Sequence, residues 1–97
     1  MRVIVHPAAI LDLKSATKFY KTQASKELSL ALVFEFERTI KLISVNPELG
    51  AEWISTARRI VMRRFPFNVV YRIDSANLTV LAVAHQRRKP DYWSARK

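Results

Sequence analysis

Between residues 58 and 93 the chain carries three apolar-rich segments, separated by short polar turns and followed by a basic, aromatic tail. The middle segment constrains the fold most. Over residues 65–73, Phe65, Phe67, Val69, Tyr71 and Ile73 alternate with Pro66, Asn68, Val70 and Arg72. That period of two belongs to a strand with two unlike faces. Residues 58–62 form a shorter strand before it, with Arg63 and Arg64 at the turn. Asp74, Ser75, Ala76 and Asn77 make a polar turn after it. Residues 78–85 are apolar on both faces, as a central strand requires. The pattern predicts a three-stranded antiparallel meander that delivers the tail to one edge of the sheet.

The chain before residue 58 reads as scaffold. Residues 2–6 are a β-branched run, and Pro7 suits the first turn of a helix, where its missing N–H leaves nothing unpaired. Over residues 8–23, Ala9, Leu13, Ala16 and Tyr20 share one face, with Ile10 and Phe19 beside it and Lys14, Lys18 and Lys21 away from it. This is an amphipathic helix. Ser25 is a suitable N-cap for a second helix over residues 26–45. Leu28, Leu32, Phe36, Ile40 and Ile43 form its main stripe, and Leu30, Val33, Phe34 and Leu42 widen it. A face that wide predicts packing on two sides. Asn46, Pro47 and Gly50 end the helix, and residues 50–57 read as a loop pinned by Trp53. The expected order is β-α-α-β-β-β over one domain, residues 1–97. It is an α+β fold, with a helical hairpin on one face of a mainly antiparallel four-stranded sheet. The N-terminal strand is expected at an edge of the meander.

Composition removes several function classes. There is no Cys, so disulfides and thiolate metal sites are excluded. Neither His6 nor His85 has a carboxylate or second His at ligand spacing, so neither a metal nor another cofactor is expected. A single Gly excludes a glycine-rich phosphate cradle. No signal peptide and no membrane span are expected. A cytoplasmic location is the expectation. Net charge is informative: residues 1–57 sum to +1 and residues 58–97 to +8. A field of one sign on part of a small domain attracts polyanions or acidic proteins.

The candidate site is the basic end. His85 opens the run HQRRKPDYW, and histidine titrates close to physiological pH, which suits acid–base work. A strand-end His bonded to a turn is the structural alternative. Arg87, Arg88 and Lys89 are successive cations able to grip phosphate or carboxylate, and Pro90 fixes the tail that follows. Tyr92 and Trp93 beside these cations suit either single-strand stacking or protein anchoring, unless Trp93 folds back to cap the core. Arg59, Arg63 and Arg64 are expected on the same end or face. The target-binding set is therefore Arg59, Arg63, Arg64, Arg87, Arg88, Lys89, Tyr92 and Trp93.

The segments NPELG, RRIVMRRFPFNVVYRID and VLAVAHQRRKPDYW, in this order and at this length, resemble the RelE/ParE superfamily of type II toxins, often called plasmid stabilisation proteins. The resemblance covers residues 3 to 96. It implies a small basic toxin neutralised by a cognate antitoxin, whose helical, acidic segment wraps it. Leu30, Val33 and Phe34 are the expected antitoxin contacts. An apolar helix face of this kind leaves a homodimer and a toxin–antitoxin hetero-oligomer both open.

RelE-like members cut messenger RNA on the ribosome, using basic residues on the sheet, an Arg in the second meander strand, and an Arg with a Tyr in the tail. ParE-like members poison DNA gyrase and lack that set. Here Asn68 stands where the strand Arg would be, and Val61 where a second sheet cation would be, although Arg59, Arg87 and Tyr92 match. The departures favour the ParE-like branch, acting through protein contacts without chemistry of its own. The alternative is an endoribonuclease with His85, Arg87 and Tyr92 as catalytic residues.

Overall fold

The computed structural model describes residues 1–89 and 91–96. Pro90, expected to fix the tail, lies outside the described residues. The elements run β1 (Arg2–Val5), α1 (Pro7–Gln23), α2 (Lys26–Val45), β2 (Ala51–Glu52), a short 3-10 turn (Ile54–Thr56), β3 (Arg58–Val61), β4 (Phe67–Ile73) and β5 (Asn77–His85). The expected α+β arrangement is present, with one strand more. The sheet order is β1-β5-β4-β3-β2, with β1 parallel to β5 and every other pair antiparallel. The added strand is the two-residue β2, which pairs with Arg58 and Arg59 inside the segment read as a loop.

Local chemistry sets the helix boundaries. Pro7 occupies the first turn of α1, and the His6 Nδ1 accepts the Ala8 N–H at 3.0 Å. His6 is thus a helix cap. Ser25 Oγ accepts the Leu28 N–H at 3.0 Å and starts α2. The Ser29 hydroxyl donates to the Thr17 carbonyl at 2.9 Å and ties the two helices together.

The hairpin covers one sheet face. Leu32, Phe36 and Ile43 of α2 and Ala9 and Ala16 of α1 meet Phe65, Phe67, Val69, Tyr71, Leu78, Val80 and Val83. Burial of each large apolar side chain here stabilises by about 1.5–3 kcal/mol. β4 begins at Phe67, two residues later than the alternation suggested. Phe65 is still buried in the helix-side core, within the bend that joins β3 to β4.

A bulge in β5 decides which of its apolar residues face which side. Val70 pairs with Ala82 but Tyr71 pairs with Val80, which leaves Leu81 as an extra residue. Leu78, Val80 and Val83 therefore face the helices, while Leu81, Ala82 and Ala84 face the other way.

That second face carries its own core. Ala57, Val70, Leu81, Ala82, Ala84 and Trp93 are buried together, with Trp53 and Tyr92 packed against them. The tail thus crosses the face opposite the helices, which corrects the expectation that it lies at an edge alone.

The single glycine sits where a close approach demands it. A Cβ on Gly50 would stand 2.6 Å from the Tyr71 hydroxyl oxygen and 2.9 Å from the Arg59 carbonyl oxygen. The Gly50 N–H donates to the Tyr71 hydroxyl at 2.8 Å, and that hydroxyl donates to the Pro47 carbonyl at 2.7 Å. The segment NPELG is thereby fastened to β4.

Candidate functional site

β1 shields only part of the outer edge of β5. Its pairing ends at Val5 against Val80, and the His6 N–H takes the Val80 carbonyl at 2.9 Å. Beyond this, β5 would present unpaired backbone groups. Two side chains from distant parts of the chain satisfy them. Asp12 Oδ2 accepts the Val83 N–H at 3.1 Å, and Arg96 Nη1 donates to the Leu81 carbonyl at 2.9 Å. Arg96 also grips both Asp12 oxygens, at 2.6 and 3.3 Å, and the Tyr92 hydroxyl donates to Asp12 Oδ2 at 3.2 Å.

The electrostatics follow from that closure. Burial, reinforced by the Asp12 charge, pushes the Tyr92 phenol up to about 12. The Asp12 hydrogen bond raises the Arg96 guanidinium above its usual value. Tyr92 is therefore a fixed donor, and Asp12 has a full set of partners.

The basic end is assembled largely as expected. Phe67 pairs with His85, and the Gln86 N–H donates to the Pro66 carbonyl at 2.8 Å. This brings the loop bearing Arg63 and Arg64 beside the loop bearing Arg87, Arg88 and Lys89. All five side chains are exposed. Arg59 lies elsewhere: it pairs with Val70, and its guanidinium stands 4.4 Å from the centroid of the Trp53 ring. It shares the tail's face of the sheet but belongs to neither basic loop.

Trp93 corrects the sequence-based target set. Its exposure is 0%, and its ring lies 5.7 Å from that of Trp53, so it caps the second core and presents no surface. An indole of this size buries more area against β4 and β5 than any other tail residue can.

The residues assigned to catalysis are only partly gathered. A cleft of about 230 Å³ is lined by Asp12, Ser15, Phe67, His85, Arg88 and Tyr92, among others. Arg87 does not line it. His85 Nδ1 accepts the Arg87 N–H at 3.1 Å, so the neutral ring carries its proton on Nε2. Arg88 stands 3.8 Å over the Tyr92 ring. On the sheet itself, Asn68 is buried with an unpartnered Oδ1, and Val61 is exposed.

On α2, Leu30 and Phe34 are exposed at 47% and 68%, and Val33 is half-buried. Among the described residues no three His, Cys, Asp or Glu side chains cluster as a metal site would require. Among the described residues no helix is long and apolar enough to cross a membrane.

Asp12 and Arg96 escaped the sequence reading. The available signal was positional. Asp12 falls three residues after Ala9 and four before Ala16, inside the apolar stripe of α1. A carboxylate there must find a partner. Glu35 repeats the pattern in α2: it is buried, and the Arg38 hydrogen bond holds its carboxyl below the usual range.

The comparisons with known proteins agree with this architecture. No curated protein matches the chain. Among solved structures, a chain of the chromosomal ParDE TA system from P. aeruginosa has the same fold. It superposes with a TM-score of 0.78 at 19% identity, over 88% of this chain and 95% of that one. The family described as "ParE toxin of type II toxin-antitoxin system, parDE" matches residues 3–90. By that match, which runs from within β1 past the end of β5 and takes in both helices, the chain belongs to the ParE toxin family.

Proposed function

We propose that this chain arrests bacterial growth by inhibiting DNA gyrase through binding, without chemistry of its own, and that a cognate antitoxin neutralises it. The observation that carries this reading is the state of the sheet face opposite the helices. Trp93 roofs it, Asn68 is buried within it, and Arg59 is engaged with Trp53. A phosphodiester cut there would need cations and a proton donor converging on open surface. The tail hydroxyl that could serve is held by Asp12.

The antitoxin site in this reading is α2 at Leu30, Val33 and Phe34, where Leu30 and Phe34 stand exposed beside the half-buried Val33. In this reading the protein acts in the cytoplasm, alongside its target and its antitoxin. The alternative reading, ribosome-dependent messenger RNA cleavage, draws on the cleft that brings His85, Arg88 and Tyr92 together.

Inducible expression in a bacterium carrying a DNA-damage reporter separates the two. Growth arrest with the reporter on is the expected result. Arrest with a silent reporter, abolished by His85→Ala or Tyr92→Phe while antitoxin binding persists, would establish the alternative.

A further inference from the structure

The two basic loops differ from both kinds of site that the sequence suggested. Single-strand binding uses open aromatic faces on which bases stack. Here Trp93 is buried and the Tyr92 ring is covered by Arg88. Protein interfaces also use arginine, but they set it around apolar or aromatic anchors that become desolvated at the centre. In residues 63–66 and 86–89, Phe65 is already buried, and Pro66 is the one exposed apolar side chain. What remains is clustered positive charge on two adjoining loops. Arg63, Arg64, Arg87, Arg88 and Lys89 are all exposed, and none pairs with an acid among the described residues. Four of these five are arginines, whose planar forks suit phosphate oxygens.

From this we propose that the basic end of the sheet binds the phosphate backbone of duplex DNA without reading its sequence. The inference rests on the gyrase reading, because an inhibitor seated on that enzyme meets the DNA it holds. Gyrase would then be contacted by another part of the surface, while the two loops clamp the nucleic acid. The bond between Gln86 and Pro66 holds the two loop backbones side by side, so binding has to order the exposed side chains but not bring the loops together.

The test titrates the purified full chain, free of antitoxin, against a labelled duplex of random sequence at several salt concentrations. Five neutralised phosphates give a slope of log K against log salt of about −4.5. The Arg63→Gln/Arg64→Gln pair and the Arg87→Gln/Lys89→Gln pair are each expected to reduce that slope by about 1.8. Arg2→Gln/Lys41→Gln removes the same charge elsewhere and is expected to leave it unchanged. Arg2 pairs with Asn77, at the end of β5 remote from His85.

An equal loss in the Arg2/Lys41 variant would reduce the effect to net charge and overturn the proposal. A slope near zero would do the same. So would loop variants that keep DNA affinity but no longer bind gyrase, since the partner would then be an acidic protein surface. DNA binding is read without gyrase and the damage reporter without purified DNA, so each reading can fail alone.

Discussion

The guanidinium of Arg96 lies 2.6 Å from the carboxylate of Asp12, 84 residues earlier in the chain. Both side chains are largely withdrawn from solvent, and both also satisfy the backbone of β5. The pair therefore does two things at once. It closes a sheet edge that β1 is too short to cover, and it holds the tail across the second core.

Removing one partner of such a pair leaves a charge and a backbone group without partners. Asp12→Ala is expected to destabilise the fold by about 3–5 kcal/mol. Tyr92→Phe deletes a single hydrogen bond and is expected to lose about 1 kcal/mol. Because both act through the same carboxylate, the double variant should fall short of the sum by at least about 0.5 kcal/mol. Urea unfolding of the three variants measures this directly, and strict additivity would show that the contacts are independent.

Trp93 distinguishes a core role from a target-contact role. Trp93→Ala empties a fully buried site beneath Trp53 and is expected to lose about 3–5 kcal/mol. Arg87→Gln and Lys89→Gln, on exposed positions a few residues earlier, should stay within about 0.5 kcal/mol of the parent. Thermal melts are the measurement. If Trp93→Ala abolished growth arrest with its melting point unchanged, the indole would be a target contact after all.

Gly50 is expected to tolerate no side chain. Its Cβ would displace the Tyr71 hydroxyl, which bridges the Gly50 N–H and the Pro47 carbonyl. Gly50→Ala should lose about 1–3 kcal/mol by overpacking. Tyr71→Phe should lose a similar amount, about 1–3 kcal/mol, for a different reason: it leaves two backbone groups unpartnered. In the Tyr71→Phe background the added methyl meets one atom fewer. Gly50→Ala should therefore be milder there, and chemical denaturation of the double variant tests that.

How much of this was legible depended on whether the signal was local. Alternation in β4 and the stripes of α1 and α2 place most of the helix-side core, because side-chain direction follows backbone period. The bulge at Leu81 was not legible, since an apolar run reads alike with or without a register shift. β2 was missed because two residues carry no period, and its existence depends on where Arg58 and Arg59 find a neighbour. At the candidate site, the charges of both basic loops were plain, and their juxtaposition followed from the meander. The burial of Trp93 was not plain. A tryptophan next to cations has the same local pattern whether it faces a partner or the protein's own sheet. Asp12 could have been suspected from its place in an apolar stripe, but nothing local identified Arg96 as its partner.

The Tyr92 hydroxyl gives a spectroscopic handle on the closed tail. Its phenol is raised from the usual 10.0 to about 12, first by burial and then by the Asp12 charge. A group whose folded-state value is raised contributes stability that is present below the unfolded value and lost as pH rises through the folded one. The chain should thus lose stability between pH about 10 and about 12 as the unfolded phenol ionises first. Following phenolate absorbance against pH, the parent should show a titration step near 12 that Tyr92→Phe lacks. Asp12→Asn removes a neighbouring negative charge, so the same step should move toward lower pH. An unmoved step would mean that burial alone sets the value and that Asp12 and Tyr92 are electrostatically uncoupled. A Tyr92 step already at the ordinary value in the parent would mean that the tail is open in solution.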